Sequence, residues 1–502
     1  LAAEVARALS AVFANRILWT SADGREDFSL STLLDEIATQ LGQTDLRRLA
    51  LEPKKEDVRA LIDDALSLIV LDNFETLSAV EQVSCANWIA DAPCPALITT
   101  RLQVNGRRNV LIDAMSPEEA REFLDRLIAE TSNLRDFKNL DRDSIIQSAD
   151  ANPLVMQWII AQIGLAQRPD DVLDDLAHGE GDAAQRVFDR SFKLAQLSDD
   201  GRASLLALYL FAPSASRSGL AEVAGIDNDI KRLNEAIKGL AALCLVEPTD
   251  EGERLIIKGL TRELARARLY KDERSDEFRR RFVTYFLRYA EGHAATTPED
   301  FDALESEKDN LLNAMDVASE MKDWENVMGI RSALEEFLDL RGYWNEAISR
   351  GEQAITAAQA LAGKEQEAVF SANMAKIRYR QGEYDEARSL YHQAHDAFKS
   401  LGSERNIAVA LHQLALIAQD QGELDEARRL YNESLEINKK LGDQSGIAST
   451  LHQLGRLAED QGDKTEAARL FREALSIFEK LGSPDAEIAR RALKRVKGES
   501  DE

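Results

Sequence analysis

The chain has 502 residues, too many for one hydrophobic core, and its length suggests about three domains. Hydrophobic residues make up 44% and charged residues 30%, a soluble-globular balance, and no apolar run approaches the roughly 18 residues that cross a bilayer. A formal net charge of −27 argues against non-specific nucleic-acid binding, which depends on Lys and Arg neutralising phosphates, and three cysteines without a CxxC pair suit a reducing cytoplasm.

In chain order, residues 1–115 alternate helical and strand signals. LAAEVARALSAVF is an amphipathic helix, NRILWTSA a short strand and DVRALIDDA a helix. LSLIVLDNFETL is a continuous apolar strand ending in acids; PALITTR and NVLIDAM read as two more strands. Such alternation predicts a parallel sheet covered by helices, with ligands beyond the carboxyl ends of its strands. Asp72 stands at such an end, where a carboxylate can sit near Mg²⁺ or merely start a turn.

Residues 116–185 read as a small helical domain containing MSPEEAREFLDRLI and ANPLVMQWII. Over residues 186–270 helices alternate, then a strand, an acidic-Gly turn, a second strand and a helix follow, which is a winged-helix order. Residues 271–330 form a helical linker or cap. The six histidines are scattered, and no ligand cluster surrounds His392 and His395, which share a helix face.

From residue 331 to 498 the chain repeats itself. GYWNEAISRGEQA from Gly342, GEYDEARSLYHQA from Gly382, GELDEARRLYNES from Gly422 and GDKTEAARLFREA from Gly462 are spaced by 40 residues. Ala347, Ala387, Ala427 and Ala467 fall in register, as do Ala354, Ala394, Ser434 and Ala474. Each unit holds two apolar-periodic segments of helical length, joined where Gly relieves the backbone and acids begin the next helix. One such hairpin cannot bury its own apolar face, so the units stack into a superhelix. These residues resemble the tetratricopeptide (TPR) repeat of about 34 residues, here lengthened by stretches such as LGDQSG from Leu441. The resemblance implies a concave, protein- or peptide-binding surface on the first helix of each unit. Asn373, Lys376, Arg380, His412, Gln413, His452, Gln453 and Arg456 would line it, or would be solvated helix residues.

LIVLDNFETL, ALITTR, MSPEEAREFLDRLI and ANPLVMQWII resemble the STAND class of P-loop ATPases, the NB-ARC-like group of bacterial regulators and immune receptors. The whole chain then reads as multidomain and mainly α: an incomplete parallel α/β nucleotide-binding domain, a helical domain, a winged helix and an α-superhelical TPR array. The resemblance implies ATP or ADP with Mg²⁺ in the complete protein. Asp72 would order Mg²⁺ through water, with Asn73 beside it and Glu75 as the candidate for polarising water. Arg101 would sense the γ-phosphate, Pro153 would cover adenine in Ala151-Asn152-Pro153-Leu154, and Ala151 replaces the usual Gly. Lys258, in Ile257-Lys258-Gly259, stands where the family has a His on the ADP β-phosphate.

The loop GxxxxGK[ST], whose backbone N–H groups cradle phosphates, does not occur in these residues. The expectation is a chain truncated just after that loop, binding little or no nucleotide and inactive as an ATPase by itself. In the complete protein the resemblance implies a switch: the array senses a ligand, nucleotide exchange follows, and homo-oligomers bring an upstream effector together. The alternatives are a scaffold in which the ATPase remnant is inert, and a transcriptional regulator, which the acidic balance disfavours.

Overall fold

A computed structural model describes the chain except residues 1, 15, 26–27, 105–107, 113, 132, 135–139, 166, 227–228, 250–251, 295–296 and 499–502. The fold is mainly helical and divides into two units, Leu1–Leu46 with Leu51–Met321 and Arg47–Ala50 with Lys322–Glu502. Among the described residues no helix is long and apolar enough to cross a membrane, and Cys85, Cys94 and Cys244 are free thiols.

The first unit opens with a parallel sheet of β1 (Ile17–Ser21), β2 (Leu68–Asp72) and β3 (Ala96–Ile98), in that spatial order. Ile17 lies opposite Leu68, and Ile69 opposite Ala96. The central strand is apolar from Leu68 to Leu71, where both of its faces are covered. Ile69 and Leu71 join Leu33, Ile37 and Val58 in one core, while Leu68 and Val70 meet Phe13 and Leu9 on the other face.

Residues 109–112 depart from expectation. They carry no strand, and Val110, Leu111 and Ile112 are 74%, 82% and 65% exposed; Asp113 lies outside the described residues. A strand needs a hydrogen-bonding neighbour, and among the described residues β3 pairs with β2 alone.

Among the described residues five helices follow, from Pro117–Glu130 to Ala183–Lys193. Ser116 and Glu119 close a capping box on the first. The helix Pro153–Gly164 starts at Asn152, whose side chain accepts from the Leu154 and Val155 N–H groups. Just before it, Asp150 and Ala151 have φ of 49° and 53°, a left-handed pair that favours glycine.

Next come the helices Asp199–Leu208, Arg217–Ala224 and Ile230–Ala242, with an antiparallel sheet of β4 (Ala215–Ser216), β5 (Glu247–Thr249) and β6 (Arg254–Ile256). Its order is β4-β6-β5, and the helix Gly259–Leu269 leaves it. Two later helices, Ser275–Gly292 and Lys308–Glu320, pack onto this body. Phe211 sits edge-on to Phe282 and Phe286, and buried Asn310 accepts from Ala212 N–H (2.7 Å) and donates to the Ser214 carbonyl (3.0 Å). A buried amide with its partners in place fixes the helix where a merely apolar contact could slide.

In the second unit, hairpins of 17- and 18-residue helices repeat: Lys364–Arg380 with Tyr384–Leu401, Glu404–Asp420 with Leu424–Leu441, and Gln444–Asp460 with Lys464–Leu481. Both turns of each unit carry a left-handed glycine, as at Gly382 (φ 83°) and Gly402 (φ 69°). The N–H directly after each glycine reaches back into the helix, Glu383 to the Arg378 carbonyl (2.9 Å) and Ser403 to that of Phe398 (3.0 Å). The in-register alanines are buried where helices touch, and Ser434, standing in for Ala, donates its hydroxyl to the Ala408 carbonyl (2.8 Å). Gly455 is needed for space, since a Cβ there would lie 2.7 Å from the Phe471 ring.

Gly455→Ala is therefore expected to destabilise the second unit by about 1–3 kcal/mol in chemical denaturation, and Phe471→Leu added to it to recover part of the loss. Ala151→Gly is expected to stabilise the first unit by about 1 kcal/mol, because it relieves a left-handed alanine.

Candidate functional site

The carboxyl ends of the three parallel strands form one edge, and hydrogen bonds set its shape. Thr99 Oγ1 donates to Asp72 Oδ1 (2.5 Å) and accepts from the Asn73 N–H (3.0 Å), so one hydroxyl fixes both the carboxylate and the left-handed turn after it (φ 58° at Asn73). The Ala22 N–H donates to the Asp72 carbonyl (3.0 Å), which ties the turn after β1 to the same point. Thr99 was not picked out in the sequence; its signal is a hydroxyl residue directly after an apolar strand, in the neighbour of a strand that ends in Asp.

A cavity of about 390 Å³ adjoins this edge. Asp23, Asn73, Glu75 and Arg101 line it from the sheet, and Arg262 and Glu263 line it from the helix Gly259–Leu269. Arg262 is buried; its Nη1 donates to the carbonyls of Tyr209 (3.0 Å) and Phe211 (2.9 Å), and its Nε lies 3.8 Å from Asp23 Oδ1. Arg101 Nη1 is 2.7 Å from Glu263 Oε1 and its Nε is 3.4 Å from Glu75 Oε1. Burial pushes the Asp23 carboxyl above its ordinary range; Arg262 opposes the rise, while Asp72, Glu263 and Glu75 add to it. The cavity wall is therefore a packed set of acids and guanidinium groups, with Arg25 and Arg266 lining it beside Arg101 and Arg262. Gly24 makes the close approach possible: its φ is +72°, and a Cβ there would lie 3.0 Å from the Arg262 guanidinium.

Of the residues expected here, Asn73, Glu75 and Arg101 reach the cavity, with Asp72 directly behind them. Pro153 is exposed at the first turn of its helix, and Lys258 caps the helix Gly259–Leu269 with its Nζ 2.5 Å from Glu247. Neither residue is among the cavity's lining. Asp23, Arg262 and Glu263 escaped the sequence reading because they become neighbours only through the fold.

In the second unit the expected binding residues divide into two groups. Asn373 Nδ2 donates to Glu335 (2.9 Å), Lys376 to Asp339 (2.7 Å), and Arg380 also bonds Asp339, so these three join successive helices. The same joint recurs along the array as Tyr379 donating to Asp420 (2.6 Å) and Gln419 to Asp460 (2.8 Å). His412 lies within the stack, its Nδ1 3.2 Å from Thr450 Oγ1 and its ring 5.4 Å from that of Tyr431. The His452 ring is 5.3 Å from that of Phe471. Gln413 and Gln453 are half-buried and Arg456 is exposed, its Nη1 3.3 Å from Gln453 Oε1; Arg380, though bonded to Asp339, is exposed as well.

The family model of the tetratricopeptide repeat matches residues 365–440 and 406–480. The repeats are of the tetratricopeptide kind. A model described as anaphase-promoting complex subunit 5 matches residues 267–341. No curated protein matches the chain. Among solved structures, a Signal Transduction ATPase with Numerous Domains (STAND) protein with a tetratricopeptide repeat sensor from Pyrococcus horikoshii is 15% identical, with 97% of this chain and 81% of that one covered at a TM-score of 0.44. BtubC from P. vanneervenii is 20% identical over 44% of this chain and 83% of its own (TM-score 0.33). Aspartyl phosphate phosphatase F from Bacillus subtilis is 12% identical over 78% and 96% (TM-score 0.30). None of these superpositions is close.

Gly24→Ala should destabilise the first unit by about 1–2 kcal/mol, from left-handed strain alone, and crowding of Arg262 adds to it; a thermal melt against Gly42→Ala, whose φ is +76° in open space, separates the two causes. Burial lowers the His412 imidazole to about 4. Above the ordinary histidine range both folded and unfolded states are neutral; as pH falls from about 6.5 towards 4 the unfolded chain takes a proton that the folded array refuses. The array should lose roughly 2–3 kcal/mol across that window in excess of His412→Gln, measured by denaturation at each pH.

Proposed function

We propose that the chain is the switching and sensing part of a signal-transducing P-loop ATPase of the STAND class, with the tetratricopeptide array as the surface for a protein or peptide. The observation that carries this reading is the Arg101–Glu263 pair (2.7 Å), which joins the ligand-binding edge of a parallel sheet to a helix about 160 residues further along the chain. A ligand at that edge cannot reach Arg101 without affecting the helix. The bodies follow the order that the resemblance implies, and β4, β5, β6 and the helix Gly259–Leu269 suit a winged helix used as a lever rather than as a DNA reader.

The donor set fits the outer end of a nucleotide. Asp72, oriented by Thr99, would hold a water-clad Mg²⁺, and Arg101 would meet a phosphate oxygen, as a planar fork does well. Mg²⁺ bound there would neutralise phosphate charge. The fit does not extend to the rest: the sequence has no phosphate-cradling loop, Lys258 is paired with Glu247, and Pro153 is away from the cavity. Nucleotide binding is therefore assigned to the protein that carries such a loop, in which a parallel strand beside β3 would also cover Val110, Leu111 and Ile112.

A scaffold function is the second reading, and it is favoured by the engagement of Asn373, Lys376 and Arg380 inside the array, which builds a stiff surface independent of any nucleotide. The two readings separate in the full-length gene product. If it is a switch, Mg²⁺-ATP changes its elution volume in size exclusion and Asp72→Asn abolishes the change while partner capture by the array persists. A wild-type protein that co-purifies without nucleotide and elutes identically with and without ATP rejects the switch and leaves the scaffold.

A further inference from the structure

The helix Gly259–Leu269 meets the carboxyl edge of the sheet through charged groups; of the four arginines that line the cavity there, Arg101 pairs with Glu263. Glu263 points at Arg101 (2.7 Å), yet it also lies close enough to Asp23 to raise that carboxyl, as do Asp72 and Glu75. Four carboxylates thus share a small volume. Arg262, the next residue on the helix, is already engaged with the Tyr209 and Phe211 carbonyls and faces Asp23. Arg101 is the cation that answers both Glu263 and Glu75. Its side chain is 58% exposed and that of Glu263 is 54% exposed, so solvent and competing anions reach the pair. One oxygen of Glu75, Oε2, is buried with no hydrogen-bond partner and faces a cavity that a ligand can enter.

We propose that Glu263 acts as a built-in anion that occupies Arg101, and that a phosphate-bearing ligand entering the cavity displaces it and so releases the helix Gly259–Leu269 from the sheet edge. The proposal rests on the nucleotide-switch reading for the identity of the ligand, but the clasp itself rests only on the pairing.

The direction of the effect follows from the charges. A phosphate group offers a guanidinium more negative charge than a carboxylate does, and the same bidentate geometry, so it competes well for an exposed pair. Once Arg101 turns to the phosphate, Glu263 and Glu75 lose their cation while Asp23 and Asp72 stay in place. Like charges at this spacing repel, and the group free to leave is Glu263, because it stands on a separate element and more than half of it already meets solvent. The ligand therefore does not push the helix; it removes the cation that made the helix tolerable there. Gly24 keeps the movement cheap, since no Cβ interlocks with Arg262.

Hydrogen–deuterium exchange on the 502-residue chain tests this, read at the turn Ser21–Arg25 and the helix Gly259–Leu269, with inorganic tripolyphosphate as the probe and sodium chloride at matched ionic strength as the control. Tripolyphosphate should speed exchange at both segments about three- to fivefold, the scale of an exposed ion pair. Glu263→Gln should show the faster exchange without the probe and no further response to it. The swap Arg101→Glu with Glu263→Arg should restore slow exchange and remove the response, which a merely structural contact would not do. Unchanged exchange in Glu263→Gln overturns the clasp. If Glu263→Gln loosens the helix but wild type ignores tripolyphosphate, the phosphate trigger is overturned while the ion-pair contact remains; the nucleotide reading, which concerns the protein that carries a phosphate-cradling loop, stands or falls on the size-exclusion test.

Discussion

The bond from Thr99 to Asp72 fastens two parallel strands where their carboxyl ends open, and the first unit's site depends on it. Without it the Asp72 carboxylate would be free to turn toward solvent, and the left-handed turn at Asn73 would lose the acceptor for its N–H. With it, the acids at this edge are held at fixed spacing, and only then does the sign of a neighbouring charge decide what can approach. The cavity, the buried Arg262 and the exposed Arg101 arrange themselves around that constraint. A single neutral hydroxyl orders a site whose other members are nearly all charged.

Two different solutions to burying charge appear in the chain. At the sheet edge, guanidinium groups stand between carboxylates in an unequal set, which gives contacts that can be exchanged for others. In the array, the joint at Asp339 is closed: its carboxylate is buried between Lys376 and Arg380, whereas Asp420 and Asp460, which each receive a donor from the preceding repeat, stay exposed. Closed joints of this kind stiffen a stack, because removing one partner strands the other in a drier place. A body meant to move and a body meant to hold shape are distinguishable by whether their buried charges balance locally.

The array was legible in the sequence because its information is periodic: Gly382, Gly422 and Gly462, with Ala387, Ala427 and Ala467, mark turn and contact in every unit. The central strand was equally plain, since Leu68–Leu71 is apolar on both faces. The helix Leu30–Gln40 was missed although Ser29 caps it, because polar residues interrupt its apolar ones, and one of them, Asp35, is buried against Lys54 rather than turned outward. NVLIDAM misled for the opposite reason: its residues have strand propensity, but propensity does not provide the neighbour that a strand requires. At the cavity, Asp72 and Arg101 stand in motifs that sequence can show, whereas Asp23, Arg262 and Glu263 are brought there by distance alone and carry no such signal. For the array, sequence spacing placed Lys376 and Arg380 on a helix face but could not show that Asp339, one repeat away, pairs with both.

The matching glycine turns at both ends of every hairpin have a consequence for how the array can change in length. Removing residues 404–443 would join Ser403 to Gln444, placing a serine where Asp443 now starts its helix, and Asp460 would come to stand where Asp420 now accepts from Tyr379. Every turn, contact residue and joint would find an equivalent partner, which no shift other than a whole unit achieves. The array is thus a ruler with interchangeable divisions: its reach can be reset by recombination between its own repeats, while the sheet edge, built from residues that occur once, cannot be altered in that way.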